Sequence, residues 1–276
     1  MYLNQFFMNQ SLLVFFCLFI SFSCEREDNS EPIQGCMDET AINYDSDAEI
    51  DDGSCQFDDD LLRINIDFRQ FIDNQDIQYN NLIYSNAAEN LYSIEKLYYV
   101  ISDLTLHYVN AESSIISNYL FLKNDDPNSL KLNNIIIPDT CSSISFTLGF
   151  SQINNATDMY LNDPNNFHNL MLWPDALGGG YHYMKLEGTF IDINEVEKFY
   201  NTHTGPLDGN DNSYSYSFNI NYSQGQSQLY IDMDINKFFN NPVYDHNDYG
   251  QGIMGSSEAQ TAIKNNLGDV FSVTSN

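Results

Sequence analysis

The sequence predicts an all-β chain, an antiparallel β-sandwich carrying one or two short helices. Three observations predict it. Apolar residues alternate with polar ones in three stretches: Ile64, Ile66 and Phe68; Tyr214, Tyr216, Phe218, Ile220 and Tyr222; and Leu229, Ile231, Met233 and Ile235. A period of two sends one row of side chains to a core and the other to water, as in half-buried antiparallel strands. Further strand-like runs at 97–109, 115–123, 143–150 and 181–191 are separated by turns rich in Asn, Asp and Gly, the rhythm of a sandwich. Helical periodicity is confined to 257–267, where Ser256 or Ser257 can cap and Gly268 can stop, with a second short helix expected around 193–200.

In chain order, the first element is an export signal. Leu12 to Phe22 is an apolar run that ends at Ser23-Cys24 and gives way to Glu25-Arg26-Glu27-Asp28. It is shorter than the roughly 20 residues a membrane span needs and has the length of a secretory signal. Ser21-Phe22-Ser23-Cys24 resembles a lipobox, the bacterial signal whose cysteine is acylated, although Ser21 stands where Leu is usual and no Lys or Arg precedes it. Residues 1–24 therefore read as a signal peptide of lipoprotein type. Lipid on Cys24 would hold the chain on the outer membrane, facing the periplasm or the cell surface. Ordinary secretory cleavage and an uncleaved anchor are the alternatives.

Residues 25–34, polar and charged with one Pro, form a tether. Residues 35–56 follow as a small acidic module bracketed by Cys36 and Cys55, which an oxidising compartment allows to pair. A bridge over a loop of about 20 residues contributes on the order of 3 kcal/mol, decisive for a module with no core of its own. Asp38, Asp45, Asp47, Asp51 and Asp52 crowd this loop with hard oxygen ligands. That admits a calcium site as well as a solvated spacer, although the spacing is not that of an EF-hand. The segment resembles a short repeat, G-C-x-D-x-x-A-x-N-Y ending in D-D-G-S-C, of exported Bacteroidetes proteins. Cys141, with no partner visible in the sequence, reads as a buried small apolar side chain.

Charge narrows the function classes. Ten Lys and Arg face 39 Asp and Glu, a net charge of -29, and none of these residues lies in the first 24 positions. Such a field repels nucleic acid and anionic lipid and attracts cations only diffusely. No G-x-S-x-G elbow, phosphate-binding Gly loop or H-E-x-x-H is present, so a non-enzymatic role is expected.

From residue 57 to 276 the chain reads as one domain. Its densest signal is the run from Met171 to Gly188, which holds the single Trp, Trp173, the triple glycine Gly178-Gly179-Gly180, and His182 on the strand that follows. Three glycines in a row mark positive φ or close approach of another group. Alternation puts His182, Met184 and Leu186 on one face and Tyr181, Tyr183 and Lys185 on the other. Without further information a tight hairpin with a core Trp explains the run. His107, His168 and His246, placed late in a strand, in an Asn-rich loop and beside Asp245 and Asp248, read as surface or turn residues.

Several pieces in order carry a family resemblance across 64–274. They are the Ile64–Phe68 strand, Tyr92–Leu106, Ser143–Gly149, the Trp173 run through Gly188, His203-Thr204-Gly205, Gly252-Ile253-Met254 and Asp269-Val270-Phe271. The stretch resembles the MbnP-like proteins, named for the periplasmic copper-binding partner of methanobactin systems. The resemblance implies a β-sandwich that holds copper through His side chains and a Trp converted to kynurenine by a di-haem peroxidase partner. Position by position, Trp173 matches that Trp and His203 the His of a His-x-Gly. Family members commonly carry Phe-x-His on the first strand, whereas this chain reads Phe68-Arg69-Gln70. An amide is a poor substitute for imidazole on copper. Either His182 supplies the missing ligand, giving a site of Trp173, His182 and His203, or the metal has been lost and the chain is an adhesion or structural surface module. A carbohydrate-binding sandwich using the abundant Tyr and Phe is a third, weaker reading.

Overall fold

The structure is a computed structural model that describes residues 32–57, 62–137, 140–220, 227–249 and 251–275. The signal peptide with Cys24, most of the tether, and Tyr222 lie outside the described residues. What is described divides into two compact units, split between Gln56 and Phe57.

The smaller unit is held by the expected disulfide, Cys36 to Cys55, with Cα atoms 4.7 Å apart. Its regular structure is a two-residue parallel pairing of Gln34–Gly35 with Ile50–Asp51. Aspartates fold the rest by accepting backbone N–H groups two residues on: Asp38 from Thr40, Asp45 from Asp47, Asp51 from Gly53 and Asp52 from Ser54, at 2.9 to 3.0 Å. These are Asx turns, the local use that short carboxylates make of a free backbone donor. The acidic density thus has a structural job. Among the described residues, no group of three or more His, Cys, Asp or Glu is arranged to hold a metal ion.

The larger unit is built from ten strands of five residues or more: β1 Leu62–Ile72, β2 Lys96–Tyr108, β3 Ser113–Lys123, β4 Lys131–Ile137, β5 Cys141–Leu148, β6 Met184–Ile191, β7 Glu197–Thr204, β8 Tyr214–Asn219, β9 Gln228–Asp234 and β10 Phe271–Ser275. One sheet runs β8-β5-β2-β6 and continues through the short pieces Leu91–Tyr92 and Tyr84–Ser85; β3 adds to β2 and β7 to β6. The other runs β10-β9-β1 and on to Gln75–Asp76, with β4 adding to β1. All pairings between long strands are antiparallel except β1 with β9, which runs parallel from Asn65↔Gln228 to Phe71↔Asp234.

The period-two rows meet between the sheets. Ile64, Ile66 and Phe68 of β1 and Leu229, Ile231 and Met233 of β9 share one core with Leu97, Tyr99, Ile101, Ile144, Phe146 and Leu186 of the facing sheet. Phe146 of β5 meets Phe271 of β10 edge to face at 5.3 Å, across the sandwich. Cys141 is buried in this core. A second apolar cluster, with Phe150, Phe167, Tyr181 and Tyr183, lies under the irregular segment 150–171.

Among the described residues three α-helices complete the unit, α1 Phe167–Met171, α2 His246–Tyr249 and α3 Ser257–Asn265. The last is the expected one; the Ser256 side chain accepts from the Ala259 N–H as its N-cap. The helix expected around 193–200 does not form. Asp192 accepts from the N–H groups of Asn194 and Val196, Glu195 takes φ +61°, and the resulting turn feeds β7 from Glu197. Eight successive register pairs with β6 decide the matter over the helix-forming Glu and Lys residues. No helix among the described residues is long and apolar enough to cross a membrane.

Candidate functional site

The segment from Met171 to Tyr183 doubles back on itself. Leu172 bridges Tyr181, and the Trp173 N–H donates to the Gly180 carbonyl at 2.8 Å. Gly178, Gly179 and Gly180 all have positive φ, at 113°, 69° and 90°, as a run of three glycines implied. At Gly180 the space is also closed, since a Cβ would stand 2.5 Å from the Asn155 carbonyl oxygen. This tight return buries Trp173 completely and gives its indole N–H the Leu177 carbonyl at 3.2 Å.

His182 follows directly. Its Nδ1 lies 3.0 Å from the Met171 carbonyl, an oxygen that can only accept, so Nδ1 carries the proton and Nε2 keeps the lone pair. That Nε2 is buried and has no hydrogen-bond partner. Burial above all, and then the nearby Lys185 ammonium, push the imidazole down to about 3, so the ring is neutral. Its plane stands edge-on to Trp173 at 4.8 Å and to His203 at 5.1 Å between ring centres. The three residues expected at the site from the sequence are therefore brought together. Simple alternation is corrected in one respect. The regular strand begins only at Met184, and His182 in the approach to it reaches His203, which pairs with Lys185 and so shares that residue's side of the sheet.

His203 lies near the end of β7. Its Nε2 is 2.9 Å from Glu187 Oε1, while the other carboxylate oxygen takes the Lys96 ammonium at 2.8 Å. The His203 hydrogen bond first, and then that from Lys96, hold the Glu187 carboxyl at about 2. With Nε2–H given to the carboxylate, Nδ1 is the ring's lone-pair nitrogen. Lys185, half-buried, gives its ammonium to the Leu170 carbonyl at 2.6 Å, and burial lowers its pKa. Two residues past His203, Gly205 lies flat on the indole, where a Cβ would come within 2.5 Å of Trp173 Cε3. The His-x-Gly spacing thus has a steric reason. Gln260 of α3 ties the arrangement down by donating to the His203 carbonyl at 2.7 Å.

Glu187, Lys96, Lys185 and Gln260 were not singled out from the sequence. Glu187 is two residues from Lys185 on a predicted strand, but only the β6–β7 register puts it beside His203. Gln70 stands apart in its own pairing. Its amide accepts from the Tyr79 hydroxyl at 3.0 Å and donates to the Tyr99 hydroxyl at 3.3 Å. Arg69 does not offer a loose charge there either, being clamped on Asp232 by two bonds of 2.6 and 2.7 Å.

The other histidines part from their expected surface placement. His246 is 1% exposed and sits inside a cage of Tyr92, Phe190, Tyr200, Phe239 and Tyr244. Its acidic neighbours suggested a turn, but the chain after β9 folds this turn back on the sheet. His168 is partly buried with Nδ1 3.0 Å from the Tyr181 hydroxyl, and His107 meets the Ser145 hydroxyl at 2.8 Å.

The family model described as MbnP matches residues 62–255. Among solved structures, MbnP from Methylosinus trichosporium is similar with a TM-score of 0.54 at 10% sequence identity, over 78% of this chain and 99% of that one. No curated protein matches.

Proposed function

Because the chain belongs to the MbnP family, we propose that it is a non-enzymatic, lipid-anchored protein of the cell envelope that binds copper at Trp173, His182 and His203. One observation carries the metal reading. His182 Nε2 is a buried lone pair with no partner, on a ring whose other nitrogen is fixed by a backbone carbonyl, and it lies beside a second imidazole. A metal-binding histidine is ordinarily oriented in this way, through its distal N–H. Burying an unpartnered polar atom is costly, and a ligand that satisfies it removes that cost. His182 Nε2 and His203 Nδ1 would hold the ion, and imidazole nitrogen suits copper. Bound copper would supply a soft, redox-capable cation in a largely buried setting.

The lipid on Cys24 and the di-haem peroxidase partner are part of the same proposal. Trp173 is fully buried, so a peroxidase would have to oxidise it without touching the indole directly. A mass gain of about 4 Da on the Trp173 peptide of protein made in its native envelope would report kynurenine. The deciding measurement for copper is metal content after dialysis at sub-micromolar free copper. The proposal expects retained copper in the wild type and its loss in His182→Ala and in His203→Ala. Equal and negligible copper in all three refutes it.

The second reading, a structural or adhesive module that has lost its metal, is favoured by the commitment of Gln70 to Tyr79 and Tyr99. It predicts no polar groups converging on Trp173, and the His182 imidazole edge-on to the indole weighs against it.

A further inference from the structure

Next to the Trp173 loop, but on the side of the second apolar cluster, phenols and proton acceptors are combined in a way the copper reading does not use. The Tyr181 hydroxyl accepts the Tyr160 N–H at 3.0 Å, which leaves its own proton to point at His168 Nδ1, also 3.0 Å away. His168 is then protonated at Nε2, and Asp158 Oδ1 lies 3.9 Å from that nitrogen. The phenol is thus hydrogen-bonded to the imidazole, with the carboxylate near the ring's other nitrogen. Phe167 stacks on Tyr181 at 5.0 Å and 21°, and Phe150 stacks on Tyr160 at 5.3 Å and 20°, so apolar rings that are hard to oxidise enclose the phenols.

The cluster reaches the surface in two steps. Tyr181 meets Tyr160 at 5.1 Å, and Tyr160 meets Tyr119 at 4.5 Å. Tyr119 donates its hydroxyl proton to Asp163, and both residues line an open groove. Tyr160 differs from its two neighbours. Its hydroxyl donates to the Asn154 carbonyl at 2.9 Å, and a backbone carbonyl cannot take a proton away at neutral pH. Tyr119 and Tyr181 are each set up to lose an electron and a proton together, and Tyr160 is set up only to pass charge between them.

We propose that Tyr181, with His168 as its proton acceptor, is a proton-coupled one-electron redox site reached from the groove through Tyr119 and Tyr160. In the step, an outer-sphere one-electron oxidant at the groove takes one electron and is reduced. The Tyr181 O–H bond breaks, the proton moves to His168 Nδ1, and a neutral phenoxyl radical remains. Asp158 faces the imidazolium so formed. The positioned base carries the function, since oxidation without proton transfer would leave a phenol radical cation in an apolar cluster.

The test oxidises the full chain with photogenerated tris(bipyridine)ruthenium(III) and follows the trapped radical by electron paramagnetic resonance. The wild type is expected to give one dominant, long-lived phenoxyl signal. Tyr181→Phe removes it and leaves at most a short-lived signal from Tyr119, His168→Gln lowers its yield roughly tenfold or more, and Tyr160→Phe, whose ring is harder to oxidise, slows its appearance. A wild-type signal that survives Tyr181→Phe, or an undiminished yield in His168→Gln, overturns the proposal. Should a variant fail to fold, electron–nuclear double resonance on the wild type decides. Nitrogen coupling from a hydrogen-bonded imidazolium supports the site, and a phenoxyl without it refutes the site.

Discussion

His246 makes the stability of the metal-free protein sensitive to mild acid, because the folded chain buries its imidazole without a partner for Nε2. Burial pushes this imidazole down to about 4, against an ordinary value of 6.5. Its Nε2 has no partner inside the aromatic cage. The unfolded chain therefore binds the proton more readily than the folded one, so stability present above pH 6.5 is lost as pH falls and the loss is complete near pH 4. At pH 5 the difference comes to about 2 kcal/mol from His246 alone, with a ceiling of about 3 kcal/mol. His182, held at about 3 by its own burial, adds a similar amount. Urea denaturation of chelator-treated protein at pH 7.5 and 5.0 measures the sum. His246→Phe, which fills the cage with a ring that does not titrate, isolates one part. With a urea slope of about 2 to 3 kcal/mol per molar, the wild-type midpoint should fall on acidification by roughly 0.7 to 1 M more than that of the variant. Equal shifts in the two proteins would refute the reasoning, because the caged imidazole would then be titrating normally.

Other perturbations test other parts. Gly205→Ala places a methyl group against the indole and should cost about 1 to 3 kcal/mol. The emission of the single Trp should shift in the same variant, and unchanged emission would mean that strand end does not touch Trp173. Replacing Cys36 and Cys55 by Ser should open residues 35–56 to protease while leaving the thermal transition of 57–276 in place, since the disulfide joins only residues of the smaller unit. Joint loss of both units would show that they depend on each other. On the copper proposal, Glu187→Gln removes the charge that fixes the His203 tautomer and should weaken copper binding about 10- to 100-fold with the fold intact. Unchanged affinity would remove Glu187 from any supporting role.

Alternating apolar residues made most of the strands legible, because β1, β8 and β9 each have one dry face and one wet one. β7 was hidden behind Glu195, Glu197 and Lys198, which favour a helix locally and yield to eight register pairs with β6. β4 was hidden too. Its pairing with β1 slips between Ile64 and Ile66, with Asn134 at φ +56°, so its apolar residues do not alternate. The parallel direction of β1 and β9 left no trace, since parallel and antiparallel neighbours show the same period. At the site, Trp173, His182 and His203 stood out through the glycine run and the family resemblance. Glu187 did not, because only knowledge of which strand lies beside β6 brings a carboxylate to His203. His246 misled for the opposite reason: acidic neighbours describe a residue's place in the chain but say nothing of the rings folded over it.

The parallel join of β1 to β9 also governs how the domain can form. The second sheet draws on 62–72, 131–137, 228–234 and 271–275, so its central strand is made first and its flanking partner more than 150 residues later. Contacts this remote in sequence bring little reward until the intervening chain has been closed into loops, which makes folding slow. A chain emerging from its N-terminus must keep β1 incompletely paired until nearly all of it has appeared. Removal of the last fifty residues should therefore leave an unfinished sandwich with an open hydrophobic face rather than a smaller stable one.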